Sequence, residues 1–152
     1  MVVISNSSPL IALTQIGRLE ILHKLHSHVL IPPAVAKEVE PTIPTLPQWL
    51  VVQPLTEERK PDVVSSSIGP GEYEVISLGL ELRAERRILD EQAARRLATS
   101  LGLRVIGTVG LLLAAKERGF LTRIKPELDH LMEARFFMDT ELYERVIRQA
   151  EE

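Results

Sequence analysis

Short apolar runs alternate with helix-period segments along almost the whole chain, and this alternation leaves few folds open. Val2-Val3-Ile4, Val29-Leu30-Ile31, Leu50-Val51-Val52, Arg87-Ile88-Leu89 and Leu103-Arg104-Val105-Ile106 read as strands. Continuous apolar character, without polar residues at every second place, marks strands buried on both faces. Helical segments lie between them. Leu10, Ile11, Leu13 and Ile16 have helical spacing, as do Leu19, Leu22 and Leu25; Val35 and Val39 share a face, and so do Val75, Ile76, Leu78 and Leu82. Gly17, Gly102 and Gly119 stand where helices should stop. The expected fold is α/β, with a parallel sheet between helices and right-handed crossovers. Phe136-Phe137-Met138 is expected to add a last edge strand, and Thr56 to Gly69, without clear period, to form a mobile loop.

The bulk numbers bound the functional classes. With 152 residues the chain suits one domain, 1–152, with a real core. At 45% hydrophobic and 26% charged it is neither a disordered chain nor a coiled coil. Aromatics make up only 4%, so the core should be aliphatic. The absence of Cys excludes disulfides, iron–sulfur clusters and thiolate zinc sites and points to a reducing cytoplasm. No segment has signal-peptide form or membrane-spanning length; Val109 to Ala115 reads as a core helix. At a net charge of −3, a nucleic acid must be met by local basic patches.

Chemistry-bearing residues fall at the joints between strands and helices. Asn6 follows the first strand, Glu38 lies one turn into the helix after the second, Glu72 opens a helix after Gly69-Pro70-Gly71, and Asp90-Glu91 follow a later strand. Open parallel sheets bind ligands outside the carboxyl ends of their strands, where strand order reverses. Carboxylates brought together there repel one another unless a cation lies between them. A hard cation such as Mg²⁺ prefers oxygen ligands and keeps waters, leaving room for a phosphate substrate. Each residue also has an ordinary reading. Asp90 can N-cap a helix from Glu91 to about Leu101, worth roughly 1 kcal/mol. Ser7 or Ser8 can N-cap the first helix, and Thr108 a later one. Glu72 suits a helix N-terminus, Glu38 a solvated face, and Asn6 a turn.

The segments VVISNSSPLIALTQIGRLEIL, LIPPAVAKEVE, GPGEYEVISLGLEL, RILDEQAARRLATSLGLRVIGTVGLLLAAKERG and IKPELDHLMEARFFMDTELYERVI, in this order, resemble the PIN-domain superfamily, in a small prokaryotic branch related to VapC-type toxins. The resemblance covers nearly the whole chain. It implies a three-layer α/β/α fold with a parallel sheet of about five strands. It also implies a Mg²⁺- or Mn²⁺-dependent ribonuclease, with RNA as substrate, an antitoxin protein as a possible partner and a homodimeric state. The catalytic Asp that ends the first strand of a PIN domain matches Asn6, and the small hydroxyl residue after it matches Ser7 or Ser8. The remaining acids match Glu38, Glu72 and either Asp90 or Glu91, with Glu38, Glu72 and Asp90 as metal ligands. Arg95, one turn after Asp90, is placed to touch a scissile phosphate, and the hydroxyl of Thr108 to stand near it. Asn6 departs from the pattern: an amide oxygen still ligates a cation but brings no charge. Mn²⁺ tolerates such a mixed set better than Mg²⁺.

Three rivals stay beside this reading. One is a PIN-like module that binds RNA or a protein without cutting, with Asn6 marking lost catalysis. A second is a receiver-like regulator, which needs a phosphorylatable Asp where this chain has Asn6. A third is a metal site from His23, His26 and His28, which lacks a fourth ligand. Two basic groups offer phosphate contacts: Arg83, Arg86, Arg87, Arg95 and Arg96, and separately Lys116, Arg118, Arg123 and Lys125. The apolar helix Val109 to Ala115 with Phe136-Phe137 offers either core or a dimer seam. Gly107-Thr108-Val109-Gly110 lacks the Gly-Lys-Ser/Thr ending of a P-loop.

Overall fold

The computed structural model describes residues 2–56 and 68–152. Five strands form one all-parallel sheet: β1 (Val3–Ser5), β2 (Val29–Ile31), β3 (Leu50–Val52), β4 (Arg86–Ile88) and β5 (Val105–Ile106), in the order β3-β2-β1-β4-β5. The strands are very short. Their pairing is extended at the site edge by Asn6 N–H, which donates to Ile88 O at 2.9 Å, and by Leu89 N–H, which donates to Ile106 O at 2.9 Å. The chain moves outward from β1 through β2 to β3, then returns to β4 on the other flank. Strand order therefore reverses between β1 and β4.

Eight helices accompany the strands among the described residues: α1 (Ser7–Gln15), α2 (Glu20–Leu25), α3 (Pro33–Val39), α4 (Pro70–Leu82), α5 (Gln92–Ser100), α6 (Thr108–Glu117), α7 (Lys125–Glu133) and α8 (Thr140–Gln149). Helices α1 and α2 pack with α6, while α4 packs with α5 and directly on β1 and β4. This is the three-layer α/β/α arrangement expected. The buried apolar set is Val, Ile, Leu and Ala, with Trp49 as its one aromatic member. Val35 and Val39 both have zero exposure, which fixes the rotation of α3 and with it the direction of Glu38. Gly17, Gly102 and Gly119 take φ between 72° and 78°, a left-handed conformation that costs Gly nothing, and they end α1, α5 and α6. No helix is long and apolar enough to cross a membrane among the described residues.

Four local expectations are corrected. Phe136–Met138 is not a strand. Arg135 takes φ 68° after α7, and Phe136 N–H closes back on Leu131 O at 2.9 Å, so this segment finishes a helix. Phe136 packs partly against the core and Phe137 is 87% exposed. Ser7, Asp90 and Thr108 do not cap their own helices: α1 begins after Asn6 and α5 after Glu91, neither with a side-chain cap, and α6 begins at Thr108 itself. Their polar atoms are drawn across to other elements instead. Asp139, by contrast, caps α8, accepting from Leu142 N–H at 2.7 Å. Most of the expected loop from Thr56 to Gly69 lies outside the described residues.

The basic residues expected near the site also divide. Arg95 and Arg96 lie on α5, just past the carboxyl end of β4, whereas Arg86 and Arg87 begin β4 and Arg83 ends α4, at the opposite edge. Helix α4 runs back against the strands, so residues near its end cannot share an edge with Glu72 at its start. Much of the second basic group is occupied by contacts within the fold. Lys116 donates to Glu152 at 2.7 Å and to Ala150 O, Arg123 lies 3.6 Å from Glu152, and Lys125 donates to Asp129 at 2.9 Å.

The Glu152 carboxylate also accepts from Ile124 N–H at 2.6 Å and Lys125 N–H at 3.1 Å, at the start of α7, where the helix dipole favours an anion. Burial alone would raise its pKa; the Ile124 amide, the Lys116 ammonium and the Lys125 amide outweigh this and lower it from 4.5 to about 2. A depressed carboxylate contributes stability that is full above its unfolded pKa and is lost as pH falls through the folded value. Glu152→Gln is therefore expected to lower Tm at pH 7, with the gap to wild type closing as pH falls from 4.5 towards about 2. Thermal melts of both proteins across that range check it; a gap independent of pH would contradict it.

Candidate functional site

The carboxyl ends of β1, β4 and β5 lie side by side and deliver Asn6, Asp90 and Thr108 to one edge. Asn6 and Asp90 flank the reversal of strand order. Asn6 is 1% exposed, and its Oδ1 is buried without a hydrogen-bond partner. A buried carbonyl oxygen without a donor is uncommon and calls for a partner.

Glu38 reaches the same place from α3. Its Oε2 accepts from Ser7 Oγ–H at 2.7 Å, which fixes the carboxylate against the start of α1. Gly71, in the first turn of α4, leaves the space that Glu38 and Asn6 use. A methyl group there would overlap Glu38 Oε1 and stand 3.1 Å from Asn6 Oδ1, so both oxygens crowd one point. Helix α3 is itself held by α4, since Ala34 N–H donates to Glu74 Oε2 at 3.2 Å. Gly71 and Glu74 escape the sequence reading, although the run Gly69-Pro70-Gly71-Glu72 held a signal in its second glycine.

Asp90 forms a second group. Its Oδ1 accepts from Thr108 N–H at 2.7 Å and its Oδ2 from Thr108 Oγ–H at 2.6 Å, so it binds the start of α6. At Gly107 a methyl would stand 2.6 Å from Arg95 Nη1 and 2.8 Å from Asp90 Oδ1, which brings the guanidinium beside the carboxylate. Burial raises the Asp90 pKa; the two Thr108 bonds and Arg95 oppose the rise. A carboxyl group with that shift accepts a positive charge readily, because a cation relieves the cost of burying the anion.

The other expected residues lie apart. Glu72 Oε2 folds back over Gly69, 2.8 Å from where a methyl would stand, and so faces the start of its own helix. Glu91 is exposed, leaving Asp90 as the acid that turns inward. Ser8 lines a separate cavity of about 170 Å³ with Ile11, Gln15 and Phe136, so Ser7 is the hydroxyl residue beside Glu38. His23 stacks on Trp49 with ring centroids 5.3 Å apart, His26 closes α2, and His28 is exposed.

No three His, Asp or Glu side chains gather closely enough to hold a metal ion among the described residues. The donor chemistry at the edge still suits a hard cation. Asn6 Oδ1 is free and buried beside Glu38 Oε1. Each Asp90 oxygen takes part in one hydrogen bond and retains a lone pair.

A family model, DUF3368, described as a PIN domain, matches residues 2–152. The chain belongs to the PIN domain family. The PIN domain generally carries nuclease activity and is typically dependent on a divalent metal. The fold of this PIN domain is also similar to that of a PilT N-terminus domain protein from the hyperthermophilic archaeon Sulfolobus solfataricus P2, with a TM-score of 0.57 and 18% sequence identity over 76% of this chain and 93% of that one. No curated protein matches its sequence.

Proposed function

We propose that the edge carrying Asn6, Glu38 and Asp90 is the site of a metal-dependent ribonuclease. The observation that carries the reading is the buried, unpartnered Asn6 Oδ1 beside Glu38, at the reversal of strand order in a PIN domain. Asn6, Glu38 and Asp90 would hold a Mg²⁺ or Mn²⁺ ion, and Glu72 would join them only by swinging away from Gly69 at the start of α4. A bound cation supplies Lewis-acid polarisation of the phosphodiester. Ser7 holds the Glu38 carboxylate in one orientation, and Thr108 does the same for Asp90. Arg95, beside Asp90, meets the charge that grows on the phosphate. The substrate is RNA, and the reading extends to a homodimeric toxin with an antitoxin partner.

The neutral side chain of Asn6 favours a second reading, in which the same edge binds nucleic acid without cutting it. Asn6→Asp separates the two. It places a further anion, nearly without exposure, beside Glu38. Without metal it is expected to destabilise the fold by about 1–3 kcal/mol. Mn²⁺ should restore Tm and stabilise this variant more than it does wild type. An active wild type whose cleavage changes little supports the nuclease; cleavage that appears only in Asn6→Asp supports the binding module. Equal Tm responses of the two proteins to Mn²⁺ would remove Asn6 from the metal site.

A further inference from the structure

Arg87 is the largest side chain fully buried in the described fold, at 1% exposure. It sits in β4, paired with β1 on one side and β5 on the other. A guanidinium presents five N–H donors and keeps its charge. Arg87 Nη1–H donates to Ala84 O at 2.8 Å, but Nε and Nη2 are buried without partners. Among the described residues no carboxylate forms an ion pair with it. Gly79 of α4 keeps space for the group: a methyl there would overlap Nε and stand 2.6 Å from Cζ. Burial lowers the pKa of Arg87, with no charged partner to oppose it. A buried charge without a counter-ion is costly, and natural folds rarely leave one so.

A cavity of about 300 Å³ adjoins it, lined by Ala84, Glu85, Arg87, Gly102, Leu103 and Arg104. It opens at the amino ends of β4 and β5, the edge opposite Asn6 and Asp90. Two of its lining residues are cationic and one, Glu85, is acidic. Outside the cavity, burial lowers the pKa of His26, and the charges of Arg86 and Arg118 act in the same direction.

We propose that this cavity binds a phosphate group, as orthophosphate or a small phosphate monoester, with Arg87 and Arg104 as its cationic ligands. The free Nε and Nη2 lie against Gly79 of α4, so the guanidinium turns towards the cavity to offer a tetrahedral oxyanion its planar fork of paired N–H donors. Such an anion supplies the charge that Arg87 lacks. Glu85 opposes it and sets the affinity. The site uses none of the residues assigned to the candidate metal site, so it stands or falls separately from the nuclease reading.

The test uses the whole protein in EDTA, so that no divalent metal bridges the anion, at fixed ionic strength. Sodium phosphate is titrated while Tm and the amide NMR signals of Ala84, Gly102 and Leu103 are followed. A saturable rise in Tm with shifts at these amides is expected. Arg87→Met should abolish the response and, without phosphate, melt at the same temperature as wild type or higher. Arg104→Ala should weaken binding roughly tenfold, and Glu85→Gln should strengthen it by a similar factor, each equivalent to about 1.4 kcal/mol. A parallel titration with ribose 5-phosphate separates the sources: tighter binding than phosphate assigns a monoester, equal or weaker binding assigns the free ion. No saturable response in wild type, or an undiminished one in Arg87→Met, would overturn the proposal. Should Arg87→Met fail to fold, affinities unchanged in both Arg104→Ala and Glu85→Gln would overturn it equally.

Discussion

Glu38→Gln is expected to reduce Mn²⁺-dependent RNA cleavage by about 10²–10³-fold, the scale on which removing one preorganised electrostatic contact slows an enzyme. The fold should survive. Glu38 accepts from Ser7 Oγ–H, and a glutamine carbonyl accepts from the same hydroxyl, so the loss of stability should be about 1 kcal/mol or less. What disappears is the charge beside Asn6 Oδ1, where the amide supplies none. Asp90→Asn should act in the same direction with a larger structural cost. An amide cannot accept from Thr108 N–H and Oγ–H through two oxygens as Asp90 does, and removing one of those bonds costs about 1 kcal/mol or more. Single-turnover cleavage and thermal melts of both variants check this. Wild-type rates in both would remove Glu38 and Asp90 from the chemistry.

Gly71→Ala is the second change expected to have a large effect, although no charged or ligating group is altered. Gly71 lies in the first turn of α4, where alanine is the better helix former by roughly 0.5–1 kcal/mol. Stability alone therefore favours the substitution. The added methyl, however, would overlap Glu38 Oε1 and press on Asn6 Oδ1. The flexible Glu38 side chain gives way first, breaking its bond to Ser7. Metal affinity should fall about 10–100-fold, as when the support of a ligand is lost, with Tm near that of wild type. Mn²⁺ titration beside a melt tests it. Undiminished Mn²⁺ binding would show that Glu38 need not occupy the space above Gly71.

Much of the fold was legible because the strands advertise themselves. Val29-Leu30-Ile31 and Leu50-Val51-Val52 are continuous apolar triplets between helical periods, and both are strands. Phe136-Phe137-Met138 carries the same local signal, but the turn at Arg135 takes it away from the sheet. The site was legible in part. Asn6, Glu38 and Asp90 stand where strand ends and helix starts deliver them, and the expected hydroxyl residues are close by. The caps were misread because capping preference is local, whereas Ser7 and Thr108 find carboxylates on other elements 31 and 18 residues away. Arg87 was read with its neighbours as a phosphate contact. Its place inside a strand flanked on both sides argued for burial, since such strands are covered on both faces. Gly71 carried no chemistry of its own, and only the packing of α3 against α4 reveals its use.

The central claim is tested most directly by incubating purified protein with single-stranded and structured RNA in Mn²⁺, Mg²⁺ or EDTA. Cleavage with either metal, faster in Mn²⁺ than in Mg²⁺ and absent in EDTA, is the result expected of a cation held by Asn6, Glu38 and Asp90. A folded protein that leaves both RNAs intact in every condition would contradict the nuclease and turn the same edge into a binding surface.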